Sequence, residues 1–211
     1  MTADALEILM PDGVILRGLR WRGAEDAVVL LHDVGQDLDS WGPISAAVAA
    51  AGFTLMAIDL RGHGASDGAW DPARLAEDLP AILAAARACV PGRLVLIGAG
   101  STGPAVLAAG IEPRPDAVIL FSPGPLADPL RARELRGEGI SKLFIVGSRD
   151  QVADRTAVEL RNRSIGTASL VSVPSNAHGT ALLGPEWQQQ LVEKVLAFLS
   201  EIRSVSQEAE A

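Results

Sequence analysis

The sequence predicts an α/β domain built on one mostly parallel sheet of eight strands with helices on both faces. Six short apolar runs, at residues 27–31, 53–58, 94–97, 117–121, 143–146 and 168–173, alternate with Ala-rich stretches of helical character. That alternation is the pattern of βαβ units. The runs are apolar throughout rather than at every second position, as strands covered on both faces are. Ahead of them, residues 6–10 and 14–21 flank a Pro11-Asp12-Gly13 turn, which predicts an antiparallel hairpin.

The helices carry their own punctuation. Asp71-Pro72 and Asp128-Pro129 each set a capping carboxylate before a proline suited to a first helical position. Pro80 falls inside the second helix and predicts a kink there. Gly184-Pro185 opens the last helix, whose Leu191, Val195, Phe198, Leu199 and Ile202 fall on one face. The polar residues 204–211 predict a frayed tail, so the reading is one domain over 1–203. A chain of 211 residues is long enough to bury a continuous core.

Composition narrows the function. Hydrophobic residues at 48% against charged residues at 21% indicate a globular chain. A formal net charge of −8 argues against a nucleic-acid or anionic-membrane partner, since both need a basic surface. Cys89 stands alone and cannot form an internal disulfide; it is expected to pack on the buried side of a helix. The first residues lack a basic, then apolar, leader pattern, and no run reaches membrane-spanning length; the expectation is a cytoplasmic protein. No His, Cys or carboxylate cluster has metal-ligand spacing, and no cofactor loop is recognised, so no metal and no cofactor are expected.

The chemistry sits after the fifth strand, in Gly98-Ala99-Gly100-Ser101-Thr102-Gly103. A serine at a sharp strand-to-helix turn has its hydroxyl exposed above the sheet and needs small neighbours two residues away on either side. Ala99 and Gly103 are such neighbours of Ser101. This segment resembles the G-x-S-x-G nucleophile elbow of the α/β-hydrolase family, with Ala for the first Gly. A second register stays open: counting from Gly98 puts Gly100 in the nucleophile position, which would make the protein an inactive relative that binds a ligand or a partner protein.

The resemblance implies a serine hydrolase of small esters or related acyl bonds, working through an acyl-enzyme. Its Ser, acid, His chain order leaves His178, in the loop after the eighth strand, as the base, because His32 and His63 precede Ser101. The acid is Asp150, which ends a Gly-x-x-Asp loop at Gly147 after the seventh strand; Asp128 and Asp154 are fallbacks, better read as a helix cap and a first-turn carboxylate. Leu30-Leu-His-Asp-Val-Gly resembles the family's oxyanion loop and implies the Val34 and Thr102 amides as oxyanion donors. Asp33 stands where the family usually has Gly and is expected to point away and hold the loop. The loop Asp59-Leu-Arg-Gly-His-Gly is read as structural, with His63 as a hydrogen-bonded loop residue. An Asp nucleophile is excluded because none sits at the elbow. Residues 122–139 offer room for one loop and one helix, so no cap domain is expected. The compact chain is similar to small dienelactone-hydrolase-like esterases. Oligomeric state has no signal in the sequence.

Overall fold

A computed structural model describes residues 2–107, 112–125 and 140–209. Eight strands form one sheet: β1 (Asp4–Leu9), β2 (Ile15–Trp21), β3 (Ala27–Leu31), β4 (Thr54–Ile58), β5 (Leu94–Ala99), β6 (Ala117–Phe121), β7 (Ser141–Gly147) and β8 (Ala168–Val173). Their spatial order is β1-β2-β4-β3-β5-β6-β7-β8. The first hairpin joins antiparallel, β2 meets β4 antiparallel, and every other neighbouring pair is parallel. The eight-stranded α/β architecture thus agrees with the expectation from the alternating apolar runs.

The helices are α1 (Gly42–Ala50), α2 (Pro72–Arg87), α3 (Thr102–Val106), α4 (Gln151–Arg163) and α5 (Gln188–Ala209). Alternate residues of each central strand feed two cores, one on each face of the sheet. Ala27, Val29 and Leu31 of β3 pack with Leu79 and Ile82 of α2 and with Ala157 and Leu160 of α4. Val28 and Leu30 join Ile44 and Val48 of α1 and Leu191, Val195 and Leu199 of α5 on the other face. With both faces covered, a strand needs no polar alternation, and for this reason the runs are apolar throughout.

Local signals acted as their chemistry requires at α2. The Asp71 carboxylate accepts the Ala73 amide and Pro72 takes the first helical position. The helix runs unbroken past Pro80. Three expectations differ from the structure. Helix α5 begins at Gln188 and continues to Ala209, through most of the segment read as a frayed tail. That segment contains neither Gly nor Pro, and Gln, Glu and Ala are helix formers. Cys89 is exposed: it lies past the end of α2 at Arg87, and its thiol bonds back to the Ala85 carbonyl at 3.3 Å instead of entering the core. The Asp128 cap and most of the interval where a cap domain would be inserted lie outside the described residues.

Candidate active site

The C-terminal ends of β3, β5, β7 and β8 bring four polar side chains together. This is the edge where ligands meet open α/β sheets, since the loops there diverge and leave a crevice. Asp33 follows β3, Ser101 follows β5, Asp150 follows β7 and His178 follows β8.

His178 reaches the cluster because β7 ends in Gly147. A Cβ there would stand 2.4 Å from the Ser175 carbonyl oxygen, so only glycine lets the 174–178 loop cross the strand end. The imidazole Nδ1 lies 2.5 Å from Asp150 Oδ2. Asp150 is itself fixed as the N-cap of α4, its other oxygen accepting the Ala153 amide at 3.3 Å. The acid and base named from the sequence are therefore brought into contact.

The turn after β5 has a different geometry from the one expected around Ser101. Gly100 holds the left-handed conformation, at φ +53°, whereas Ser101 sits in the right-handed region at φ −64° as the cap of α3. The strained position of the elbow is thus taken by glycine, the residue that tolerates it at no steric cost. Backbone bonds from both sides pin the turn: Gly100 N–H donates to Phe121, and Gly124 N–H donates to the Gly100 carbonyl.

Asp33 fills the space that a side chain at Gly100 would occupy. A Cβ on Gly100 would lie 1.9 Å from Asp33 Oδ2 and 2.1 Å from its Cγ. The expectation that this carboxylate points away is corrected: it points into the site. Its Oδ1 accepts the Val34 amide at 2.7 Å, the Ser101 amide at 2.8 Å and the Ser101 hydroxyl at 2.7 Å. Its Oδ2 stands 3.4 Å from His178 Nε2. Ser101 Oγ therefore meets Asp33, and the carboxylate stands between the hydroxyl and the imidazole. Of the amides named as oxyanion donors, that of Val34 is spent on Asp33; Thr102 is buried, with its hydroxyl bound to the Ala99 carbonyl at 2.7 Å.

The other two histidines brace the loop that aims Asp33. His32 is fully buried, its Nδ1 donating to the Asp33 carbonyl at 2.7 Å and its Nε2 accepting the Leu60 amide at 3.0 Å. Burial lowers its pKa and keeps it neutral. His63 Nδ1 bonds the Arg61 carbonyl at 2.9 Å, and its Nε2 accepts the Gly35 amide at 2.9 Å. Both rings have their nitrogens committed to backbone, and only His178 keeps a face toward the crevice. The bracing role of His32 has a faint sequence signal, a histidine closing an otherwise apolar run.

The electrostatics follow from this packing. For Asp33, partial burial opposes the charge, but bonds from His178, from the Ser101 amide and hydroxyl and from the Val34 amide outweigh it and hold the pKa down at about 2. The Asp33 carboxylate is the largest influence on His178; partial burial opposes it, Asp150 adds to it, and the imidazole is pushed up to about 9. At neutral pH the resting site is an imidazolium held between two carboxylates. Among the described residues no cluster could hold a metal ion, and no helix is long and apolar enough to cross a membrane.

Comparison with known proteins fits this architecture. The family model described as "Serine aminopeptidase, S33" matches residues 23–134, just over half of the chain. An esterase of Mycobacterium tuberculosis, Rv0045c, is 32% identical over 87 residues, which are 39% of this chain and 27% of the relative; the match thus spans about a quarter of that protein. Among solved structures, the Pyrococcus furiosus esterase Pf2001 superposes with a TM-score of 0.78 at 17% identity, covering 95% of this chain and 92% of that one. The α/β hydrolase GrgF from a Penicillium species gives a TM-score of 0.78 at 14% identity, covering 96% and 98%. At these identities the structural likeness speaks for the fold alone.

Proposed function

Since the chain belongs to the serine aminopeptidase S33 family of α/β hydrolases, we propose that it hydrolyses small carboxylic esters or related acyl bonds. His178 is the proton-transfer group, Asp150 orients it, and Ser101 is the hydroxyl that receives the acyl group. The observation that carries this reading is the 2.5 Å contact between His178 Nδ1 and Asp150, at the sheet edge where a substrate can enter. A base fixed by a carboxylate on one nitrogen, and facing the Ser101 hydroxyl with the other once the 3.4 Å approach of Asp33 is relieved, is what acyl transfer needs.

On this reading the substrate displaces the Asp33 carboxylate. Its carbonyl oxygen then takes the Val34 amide, with the Thr102 amide as the second donor, and His178 in its neutral form accepts the Ser101 proton. Collapse of the tetrahedral adduct leaves an acyl-enzyme, which water hydrolyses by the reverse proton path. The substrate is a small molecule, and no nucleic-acid or membrane partner is invoked. A cytoplasmic location and a site without a cap remain part of the proposal.

A second reading is favoured by one specific feature. Gly100 occupies the left-handed turn and Asp33 fills its side-chain space, as suits a non-catalytic member that binds a ligand or a partner protein. A fluorophosphonate probe separates the two. Covalent labelling at Ser101, located by mass spectrometry and abolished in Ser101→Ala, is the expected result; unlabelled, folded protein would favour the binding reading.

A further inference from the structure

We propose that the free edge of β8 is an interface, and that its partner is a second copy of this chain, joined across a two-fold axis so that the two sheets become one. This interface is independent of the acyl-transfer reading.

The sheet ends in two edges, β1 and β8. An exposed edge displays unpaired amides and carbonyls, and monomeric proteins guard it with charge or proline. β1 is guarded: it carries Asp4 and Glu7, held in ion pairs with Arg22 and Arg17. β8 reads Ala-Ser-Leu-Val-Ser-Val and has neither a charge nor a proline. Its Ser169 and Ser172 are exposed, and the two residues between them are half-buried. In a chain of net charge −8, this uncharged stretch is the edge on which two copies can meet without like charges standing opposite one another.

The pairing follows from the backbone. The carbonyls of Thr167 and Val173 accept the amides of Lys142 and Ser148, on the β7 side, at 2.9 and 2.8 Å. Alternation along the strand then turns the amides and carbonyls of Ala168, Leu170 and Ser172 to the open edge. An antiparallel partner matches donors with acceptors only where such residues stand opposite one another. The longest match sets Leu170 against Leu170 of the second copy and Ala168 against its Ser172, each pair exchanging both backbone bonds. On the other face of the sheet Ser169 meets Val171 of the second copy. The same stretch satisfies both copies at once, as two-fold symmetry demands.

Helix α4 fits the same axis. It packs on both β7 and β8, and the right-handed crossover of a βαβ unit turns one of its flanks toward the β8 side. Asp154, Val158 and Arg161, spaced i, i+4 and i+7, lie on that flank. The flank begins beside Asp150, whose contact with His178 reaches the loop beyond β8. A helix above the gap between β7 and β8 stands about 10 Å from its symmetry mate, a normal helix-packing distance. Val158 is mid-helix as Leu170 is mid-strand, so the axis passes between the two copies of each. The helices run antiparallel, which sets the acidic first turn of one against the basic last turn of the other, Asp154 facing Arg161. Strand and helix are thus self-complementary about one axis.

Sedimentation equilibrium of the unmodified chain at micromolar concentration should give twice the 22.0 kDa of one chain. Ser172→Pro removes an amide that faces the edge and leaves the ladder to β7 intact, a position where a strand tolerates proline. It should weaken the dimer by about 10²-fold or more. Asp154→Arg and Arg161→Asp should each weaken it by about 10-fold, and the two reversals in one chain should restore it. Both reversals sit on the helix surface, so this arm stands even if the proline variant does not fold. Amide exchange gives a separate readout: the Leu170 amide should slow as concentration rises, whereas the Val171 amide, bonded within the sheet, should not respond. A monomer at every concentration overturns the proposal and leaves the edge to an extended segment of another protein. Species that keep growing past a dimer overturn it as well, since they mark head-to-tail pairing of β8 on β1. So does a dimer indifferent to Ser172→Pro and to the charge reversals, which places the interface elsewhere.

Discussion

Asp33 sets the charge state of the imidazole beside it. In the proposed acyl transfer His178 has to be neutral to accept the Ser101 proton, and its pKa is raised to about 9, with Asp33 the largest cause. A raised pKa moves the working form to higher pH. Ester hydrolysis should therefore climb as pH rises through about 9, rather than through the 6.5 of a free histidine. In Asp33→Asn the midpoint should move down toward 6.5. A kcat/KM profile for p-nitrophenyl acetate checks this, and a wild-type midpoint near 6.5 that the substitution leaves in place would mean the carboxylate does not face the imidazole. The fit between Gly100 and Asp33 is testable by stability. Gly100→Ala should cost about 1–3 kcal/mol from the left-handed backbone, and more from the contact with Asp33. In an Asp33→Gly background the contact part should vanish, which a double-mutant cycle in urea measures; additive costs would show the two positions to be independent. The contact between Asp150 and His178 was legible in the sequence, because the family's chain order and loop positions point to both residues. The direction of Asp33 was not, since it depends on how far β3 stands from β5 and on two histidine braces. Gly100 and Asp33 are each unremarkable alone, and only their pairing carries the signal.

Between elements, one buried ion cluster joins the first hairpin, the end of β4 and α2. Arg61 donates to both oxygens of Asp78 at 2.6 Å and to Asp12, of the hairpin turn, at 2.8 and 3.0 Å. Arg61 and Asp78 side chains are 8% and 4% exposed, while Asp12 is 38% exposed. Removing Asp78 leaves a guanidinium without its buried partner, so Asp78→Ala should cost about 3–5 kcal/mol. Asp12→Ala, at the rim, should cost about 1 kcal/mol or less. Denaturant titration of the two variants checks the ranking, and equal losses would contradict it. None of this cluster could be read from composition, since Asp12, Arg61 and Asp78 are scattered along the chain. The strands were legible where the apolar run alone decides pairing: β3, β6 and β8 have the bounds that the sequence predicts. Helix ends were less so. Cys89 lies just past the end of α2, and α5 starts at Gln188 rather than at Gly184-Pro185; terminal residues of a helix are the part that propensity defines least.

At the scale of the whole molecule, the strand order divides the work of assembly unevenly. β3 lies between β4 and β5, and the pairing of Leu31 with Gly98 aligns the ends from which Asp33 and the Gly100 turn project. Those two strands are separated in the chain by all of α1, β4 and α2. Asp150 and His178 come later still, beyond the 23–134 stretch that matches the family model. A chain whose central contacts join distant segments must close large loops before any pairing rewards it, and such topologies fold slowly. On a ribosome, the strand ends that carry Asp33 and Gly100 can pair while β7 and β8 are still unmade. During that interval the edge of β6 is bare and open to the wrong partner. The last two strands thus both complete the site and shield the nascent sheet, so any truncation that spares the elbow but removes β7 and β8 takes Asp150 and His178 away and at the same time leaves the edge of β6 open to self-association.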